Sequence, residues 1–205
     1  MPGPLAGVAL VIASFLIGAI PWGYVAGKRS RGIDLRTVGS GGTGATNVLR
    51  TLGRRASAFV ALLDILKGLL PVVFAKTVGF DAAWVAIVAV AAVAGHCWSP
   101  FIGFKGGKGV ATGAGAAIGL FPQVVVIVPV MAFVVWATKY VSLGSMTAAL
   151  FGALLAVAFA AVGQLDWPAA LAILAICGII VVRHEGNIRR LLDGSERRIG
   201  ETISP

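Results

Sequence analysis

The 205-residue chain is 58% hydrophobic and 12% charged, with a mean hydropathy of +0.94, whereas soluble domains carry about a quarter charged residues. That composition excludes an ordinary soluble domain and a disordered chain, and it places the protein in lipid. Its 17 Lys and Arg against 8 Asp and Glu leave a net charge of +9, which in so apolar a chain must crowd into the few polar stretches and directs them toward anions.

In chain order, Leu5 to Ala26 is uncharged over 22 residues, the length that crosses about 30 Å of hydrocarbon as helix. A cleaved signal peptide starts basic, and Met1 to Val8 holds no Lys or Arg, so this segment reads as a retained first span. Ala56 to Ala75 and Ala82 to Trp98 read as the second and third. Val110 to Thr138 is uncharged for 29 residues, long for one span, and the turn signal Phe121-Pro122 divides it into two short crossings. Val141 to Val162 and Trp167 to Val182 complete seven transmembrane helices. The fold class is therefore all-α: a polytopic integral membrane protein, one membrane-embedded domain over residues 1–205.

Charge orients this array, because cytoplasmic loops collect Lys and Arg. Lys28 to Arg55, Lys105 and Lys108, Lys139, and Arg183 to Arg198 all fall on one side if seven spans alternate. The opposite loops hold only Lys76 with Asp81 and Asp166. The N-terminus is expected outside and the C-terminus in the cytoplasm. Cys97 and Cys177 lie in apolar runs and form no spaced framework, so they read as packing residues.

The first cytoplasmic loop contains Gly39, Ser40, Gly41, Gly42, Thr43, Gly44, Ala45, Thr46 and Asn47, with Arg50 three residues on. Glycines let successive N–H groups turn inward as an anion nest, Ser, Thr and Asn add donors, and Arg adds a forked charge. A phosphate cradle outweighs a flexible linker, because the segment resumes directly into a helix-like run. It is not a Walker loop, which ends in Gly-Lys-Ser/Thr. A second cluster, Phe104, Lys105, Gly106, Gly107, Lys108 and Gly109, stands where the fourth span begins. Backbone amides at a helix start, with two ammonium groups, again favour anionic oxygens. Alone it reads equally as a basic anchor with a tight turn; paired with the first loop it favours binding.

Near the C-terminus, His184 and Asn187 are three apart and share a helical face, which lets both reach one ligand; the alternative is a basic tail on acidic headgroups. Asp64 and Lys67, inside the second span, are expected to pair. His96 reads as a polar packing residue, and Ser142 and Ser145 open the sixth span as two hydroxyls near one face, where simple capping is the plain alternative.

Several chemistries are missing. With four residues between, His96 is followed by Phe101 and His184 by Arg189, so the His/Asp dyad of acyl-CoA and acyl-carrier acyltransferases is absent. No Gly-x-Ser-x-Gly elbow and no Cys/His metal set occurs, so no metal or cofactor is expected. Nucleic acid is disfavoured, because the loops offer no interleaved aromatics. A transporter or channel for organic phosphates is the competing class, but it calls for polar residues through both membrane halves and an inverted repeat.

Five motifs in order carry a resemblance: Gly-Ser-Gly-x-x-Gly-Ala-Thr-Asn-x-x-Arg at Gly39 to Arg50, Asp-x-x-Lys-Gly at Asp64 to Gly68, Gly-Phe-Lys-Gly-Gly-Lys-Gly-Val-Ala-Thr at Gly103 to Thr112, Tyr-x-Ser-Leu-x-Ser at Tyr140 to Ser145, and His-x-x-Asn-Ile-x-Arg-Leu at His184 to Leu191. The chain resembles the bacterial acyl-phosphate:glycerol-3-phosphate acyltransferases of the PlsY family, departing from the family's usual residues at Gly42 and Ala19. The resemblance implies transfer of an acyl group from acyl phosphate to the 1-hydroxyl of glycerol 3-phosphate, in phospholipid biosynthesis at the bacterial inner membrane, with no obligatory protein partner. It implies a catalytic set of Ser40, Arg50, Lys108, His184 and Asn187. Gly39, Gly41, Thr43, Asn47, Lys105, Gly106, Gly107, Gly109, Ser142 and Ser145 would bind substrate or shape its loops.

Overall fold

A computed structural model describes residues 2–201, and among these residues every regular element is helical. The expected first span is broken in two, α1 (Pro4–Ala19) and α2 (Trp22–Arg31). Pro21 brings no N–H to continue the ladder, so carbonyls at the end of α1 lose their helical partners. Distant side chains replace them: Ser99 Oγ donates to Ala19 O at 2.6 Å and Lys67 Nζ to Ile20 O at 2.7 Å. Gly32, at φ 67°, then ends α2 in the left-handed conformation.

A loop leads to the short α3 (Ala45–Leu52), followed by α4 (Arg54–Val78) and α5 (Ala82–Cys97). Asp81 caps α5 by accepting from the Ala83 and Trp84 amides at 3.0 Å. Next come α6 (Val110–Leu120), a 3-10 turn (Pro122–Val126), α7 (Ile127–Thr138), α8 (Val141–Ala161), α9 (Trp167–Arg183) and α10 (Glu185–Leu192), which bends 54° away from α9. α6 ends at Leu120, so the break falls at the expected Phe121-Pro122.

Seven crossings do not follow from helix length. Pro4–Arg31, Arg54–Val78, Ala82–Ile102 and Val141–Ala161 are long and apolar enough to cross a membrane, and α9 joined to α10 makes a fifth. The two short crossings expected between Val110 and Thr138 are α6, of 11 residues and roughly 17 Å, and the helical run Pro122–Thr138, whose 3-10 turn and α7 together span roughly 28 Å; α6 alone falls well short of the hydrocarbon thickness.

In lipid, apolar side chains gain nothing by leaving the solvent for one another, so helices associate through close backbone approach. Two pairs do this reciprocally. A Cβ on Gly68 of α4 would stand 2.0 Å from Thr112 O, and one on Gly115 of α6 would stand 2.0 Å from Ile65 O. α1 and α5 repeat the device, with Gly18 against Ala92 O and Gly95 against Phe15 O. Alanine at any of the four would push two helices apart. Large apolar side chains such as Phe59, Leu70, Phe133, Trp136 and Leu154 face outward, as a surface solvated by acyl chains requires.

Candidate active site

The first glycine loop is built around one side chain. Asn47, buried in α3, places Nδ2 within hydrogen-bonding distance of the carbonyls of Leu35 (2.9 Å), Val38 (3.1 Å) and Gly42 (2.9 Å), while its Oδ1 accepts from the Ser40 amide at 3.1 Å. Gly39 and Gly41 take φ of 60° and 69°, which a side chain would strain. Asn47 therefore organises the loop with the very groups expected to face a ligand. Thr43 is also turned inward, 3% exposed, and does not line the cavity described below. Ser40 and Arg50 do line it.

The second loop follows a different plan. The Gly106 amide donates to Cys97 O at 3.3 Å and the Gly107 amide to His96 O at 3.1 Å, so these N–H groups answer the end of α5 rather than an anion. Arg183 donates from Nε to Gly107 O at 3.2 Å and from Nη2 to Gly106 O at 3.3 Å, with its guanidinium over the Trp98 ring at 5.7 Å. Gly109, at φ 84°, starts α6. This seating directs Lys108 into the cavity and leaves Lys105 exposed outside it. The expectation of two ammonium groups and a nest of glycine amides thus reduces to one ammonium on a braced loop.

The third contribution comes from the bend between α9 and α10. His184 sits at the bend, its carbonyl accepting from the Asn187 and Ile188 amides at 2.8 and 2.9 Å. The helix is not continuous here, yet His184 and Asn187 both line the cavity. The His184 Nδ1 lies 2.7 Å from Ile180 O; a carbonyl can only accept, so Nδ1 carries the proton and Nε2 is left as an acceptor.

Sequence reading passes over Glu196. Its Oε1 accepts from Ser142 Oγ and from Asn187 Nδ2, both at 2.6 Å, and its Oε2 from Arg190 Nε at 2.8 Å. Ser142 is therefore spoken for, and Ser145 Oγ donates to Val141 O at 2.8 Å. The segment after α10 returns over the cavity: Arg197 O accepts from Arg50 Nη2 at 3.3 Å, the Ile199 amide donates to Lys139 O at 2.8 Å, and Arg198 stacks on Tyr140 at 5.5 Å. The available signal was weak, because Glu196 is one of four acids, with Glu185, Asp193 and Glu201, in a tail that also carries five arginines.

Ser40, Arg50, Lys108, Ser145, His184 and Asn187 thus converge from separate elements on one cavity of about 300 Å³, whose wall also includes Asp64 and His96. Burial and the nearby Arg190, Arg50 and Arg183 pull the Lys108 ammonium down to about 8, against the opposing charge of Glu196. Burial takes His184 down to about 4, so its ring is neutral near pH 7. Arg50 is lowered by burial and by Arg197. For Glu196 burial works upward, but the hydrogen bonds from Ser142, Asn187 and Arg190 outweigh it and hold the carboxyl low. Cationic groups with few partners of their own are what a dianionic oxygen cluster completes. The cavity continues through Val110, Ala114, Met131 and Ser145 into a second one of about 110 Å³, walled by Val128, Ile173, Ile176 and Ile180. A polar chamber therefore opens directly into an apolar groove.

Known proteins are similar to this chain in sequence and in fold. Residues 8–194 match the family model described as glycerol-3-phosphate acyltransferase. The chain is 45% identical to glycerol-3-phosphate acyltransferase 1 of Deinococcus radiodurans, over 98% of this chain and 99% of that one. It is 43% identical to the glycerol-3-phosphate acyltransferase of Geobacter sulfurreducens, over 92% and 95%. The crystal structure of PlsY, an integral membrane glycerol 3-phosphate acyltransferase, in its glycerol 3-phosphate form superimposes with a TM-score of 0.88 at 40% identity, covering 95% of this chain and 96% of that one. Its lysophosphatidic acid form gives 0.85 at 38% identity. Matched from end to end in sequence and in fold, the chain belongs to the PlsY family of integral membrane glycerol-3-phosphate acyltransferases.

Proposed function

We propose that the protein transfers an acyl group from acyl phosphate to the 1-hydroxyl of glycerol 3-phosphate, releasing 1-acylglycerol 3-phosphate and phosphate at the cytoplasmic face of a bacterial inner membrane. The observation that carries the reading is the polar chamber joined to the apolar groove. Two phosphate-bearing substrates need cations and donors, and a long acyl chain needs a lipid-like channel leading to the same point. Relatives named for glycerol 3-phosphate acylation, and a neighbour solved with glycerol 3-phosphate, support the acceptor.

In this reading Arg50 and Lys108 stabilise charge on the phosphate oxygens, and Ser40 and Ser145 offer hydroxyls. Neutral His184, with Asn187 alongside, positions glycerol 3-phosphate and leaves the proton of the attacking hydroxyl free to face the donor phosphate. The hydroxyl oxygen bonds to the acyl carbon, the bond from that carbon to the phosphate oxygen breaks, and the hydroxyl proton passes to the leaving phosphate. No enzyme nucleophile is used: Ser145 donates to its own helix, and Ser142 donates to Glu196, a carboxylate that Asn187 and Arg190 also hold ionised and so make a weak base.

The deciding experiment gives purified protein radiolabelled glycerol 3-phosphate with palmitoyl phosphate or palmitoyl-CoA. Turnover with the first alone, intersecting lines when both substrates vary, and unmodified protein by mass spectrometry after acyl phosphate alone are expected. Comparable turnover with acyl-CoA, or an acyl-serine discharged by glycerol 3-phosphate, overturns the reading. The charge asymmetry supports seven crossings with the N-terminus outside: a cysteine replacing Ser30 is then labelled only from the cytoplasm, and one replacing Gln123 or Gly163 only from outside. A cysteine at Gln123 that is never labelled from outside makes α6 and α7 a re-entrant pair.

A further inference from the structure

Asp64, Lys67 and His96 form a buried cluster that the transfer chemistry leaves without a task. Their side chains are 2%, 3% and 6% exposed. Asp64 Oδ1 lies 2.8 Å from Lys67 Nζ and 3.6 Å from His96 Nδ1, while Lys67 Nζ also donates to Ile20 O at 2.7 Å. Charges at this depth are expensive even when paired, and packing alone would be served as well by apolar residues. What the cluster supplies is direction: a carboxylate anchored by Lys67 faces one edge of the His96 ring.

The opposite edge meets the second glycine loop. A Cβ built on Gly107 would stand 2.2 Å from His96 Nε2, 2.9 Å from Cε1 and 3.1 Å from Cδ2, and its three nearest neighbours are all atoms of that ring. Gly107 is not among the glycines at positive φ, so its backbone suits any residue and the ring is the nearest obstacle to a side chain there. Gly106 differs, since its Cβ would meet backbone, His96 O at 2.1 Å and Cys97 O at 2.9 Å. Lys108 follows directly.

We infer that His96, aimed by Asp64, is a positioning residue whose ring seats Gly107 and so sets where Lys108 stands in the cavity. The inference rests on the acyltransferase reading for what Lys108 does, but not for how Lys108 is held. It makes Gly107 and His96 a matched pair in size, which a double-mutant cycle reads directly.

Gly107→Ala is expected to lower kcat/KM by about 30-fold and His96→Ser by about 5-fold; these are order-of-magnitude figures for a cation displaced by an ångström or so. Because serine leaves room for the new methyl, the H96S/G107A double variant is expected to be no worse than His96→Ser alone. H96S/G106A is expected to lose the product of its two single losses, since serine clears no backbone. Affinity for inorganic phosphate, titrated against these four variants and the Gly106→Ala single variant, is expected to follow the same pattern without needing turnover. Asp64→Asn, which keeps an acceptor toward Nδ1, is expected to retain most activity, with thermal unfolding in detergent monitoring the fold.

Multiplying losses in H96S/G107A, in turnover and phosphate affinity alike, overturn the inference and leave the acyltransferase reading intact if the unmodified protein uses acyl phosphate. Unmodified protein that ignores acyl phosphate while phosphate affinity shows the rescue sinks that reading and supports the seating.

Discussion

The two glycine loops have similar composition and opposite construction. The first is held from within: Asn47 gathers the carbonyls of Leu35, Val38 and Gly42 and the amide of Ser40. The second is held from outside, its amides on the last carbonyls of α5, its own carbonyls on Arg183, and its flank on His96. One buried amide side chain satisfying several backbone groups concentrates a loop's stability in a single residue, whereas several external contacts distribute it. The same demand, a fixed backbone near an anion, has thus been met by concentration in one loop and by redundancy in the other.

The largest way to break the comparison is to remove what each loop delivers. Arg50→Ala and Lys108→Ala are each expected to lower kcat/KM by at least ~100-fold in well-folded protein, the loss typical of charge-assisted contacts to a reacting group; full activity in either variant refutes the shared role. Next come the braces. Asn47→Ala strips four backbone groups of one partner and is expected to reduce kcat/KM by about 30-fold and lower the unfolding temperature by several degrees, as loss of a buried hydrogen-bonding hub does. Arg183→Ala leaves the Gly106 and Gly107 amides on α5 and is expected to lose only about 5-fold. Equal losses in these two would erase the distinction between concentrated and distributed support.

A pH profile sharpens the comparison further. The Lys108 ammonium, drawn down to about 8 by burial, is charged below that pH and neutral above it. In the free enzyme kcat/KM is therefore expected to fall as pH rises through about 8. Lys108→Arg keeps its charge throughout and is expected to abolish that alkaline fall, whatever its absolute rate. His184, neutral down to about 4, contributes no step between pH 5 and 8. The smallest effect belongs to Lys105→Ala, expected within twofold of the unmodified protein in kcat/KM because the residue is exposed and does not line the cavity.

Apolar runs and motif order were legible because hydrocarbon imposes a length and a composition that no other solvent does. The ion pair of Asp64 and Lys67 was legible for the same reason: an unpaired charge there is too unfavourable. The break at Ile20-Pro21 was not, because an uncharged run containing one proline still reads as a span, and the side chains that help fill the gap, Ser99 and Lys67, lie far along the chain. Direction was the other casualty. Composition names Asn47, Gly106 and Gly107 as hydrogen-bonding groups, but whether they face a ligand or the chain depends on carbonyls brought from Leu35 or from the end of α5. Glu196 escaped because an acid in a basic tail looks solvated until Ser142 and Asn187 arrive beside it.

The return of the segment after α10 over the cavity sets a clock on the assembly of the site. Arg50 waits for a carbonyl 147 residues later, that of Arg197, which at about 5–20 residues per second emerges roughly 7–30 s after it. Throughout that interval the growing chain can insert its apolar helices and fold its first loop around Asn47, yet the carboxylate that holds Ser142 and Asn187 does not exist. A ribosome that stops just after α10 leaves behind a protein with every apolar helix in the membrane and no finished chamber. The chamber is finished only once the segment that follows α10 has been made.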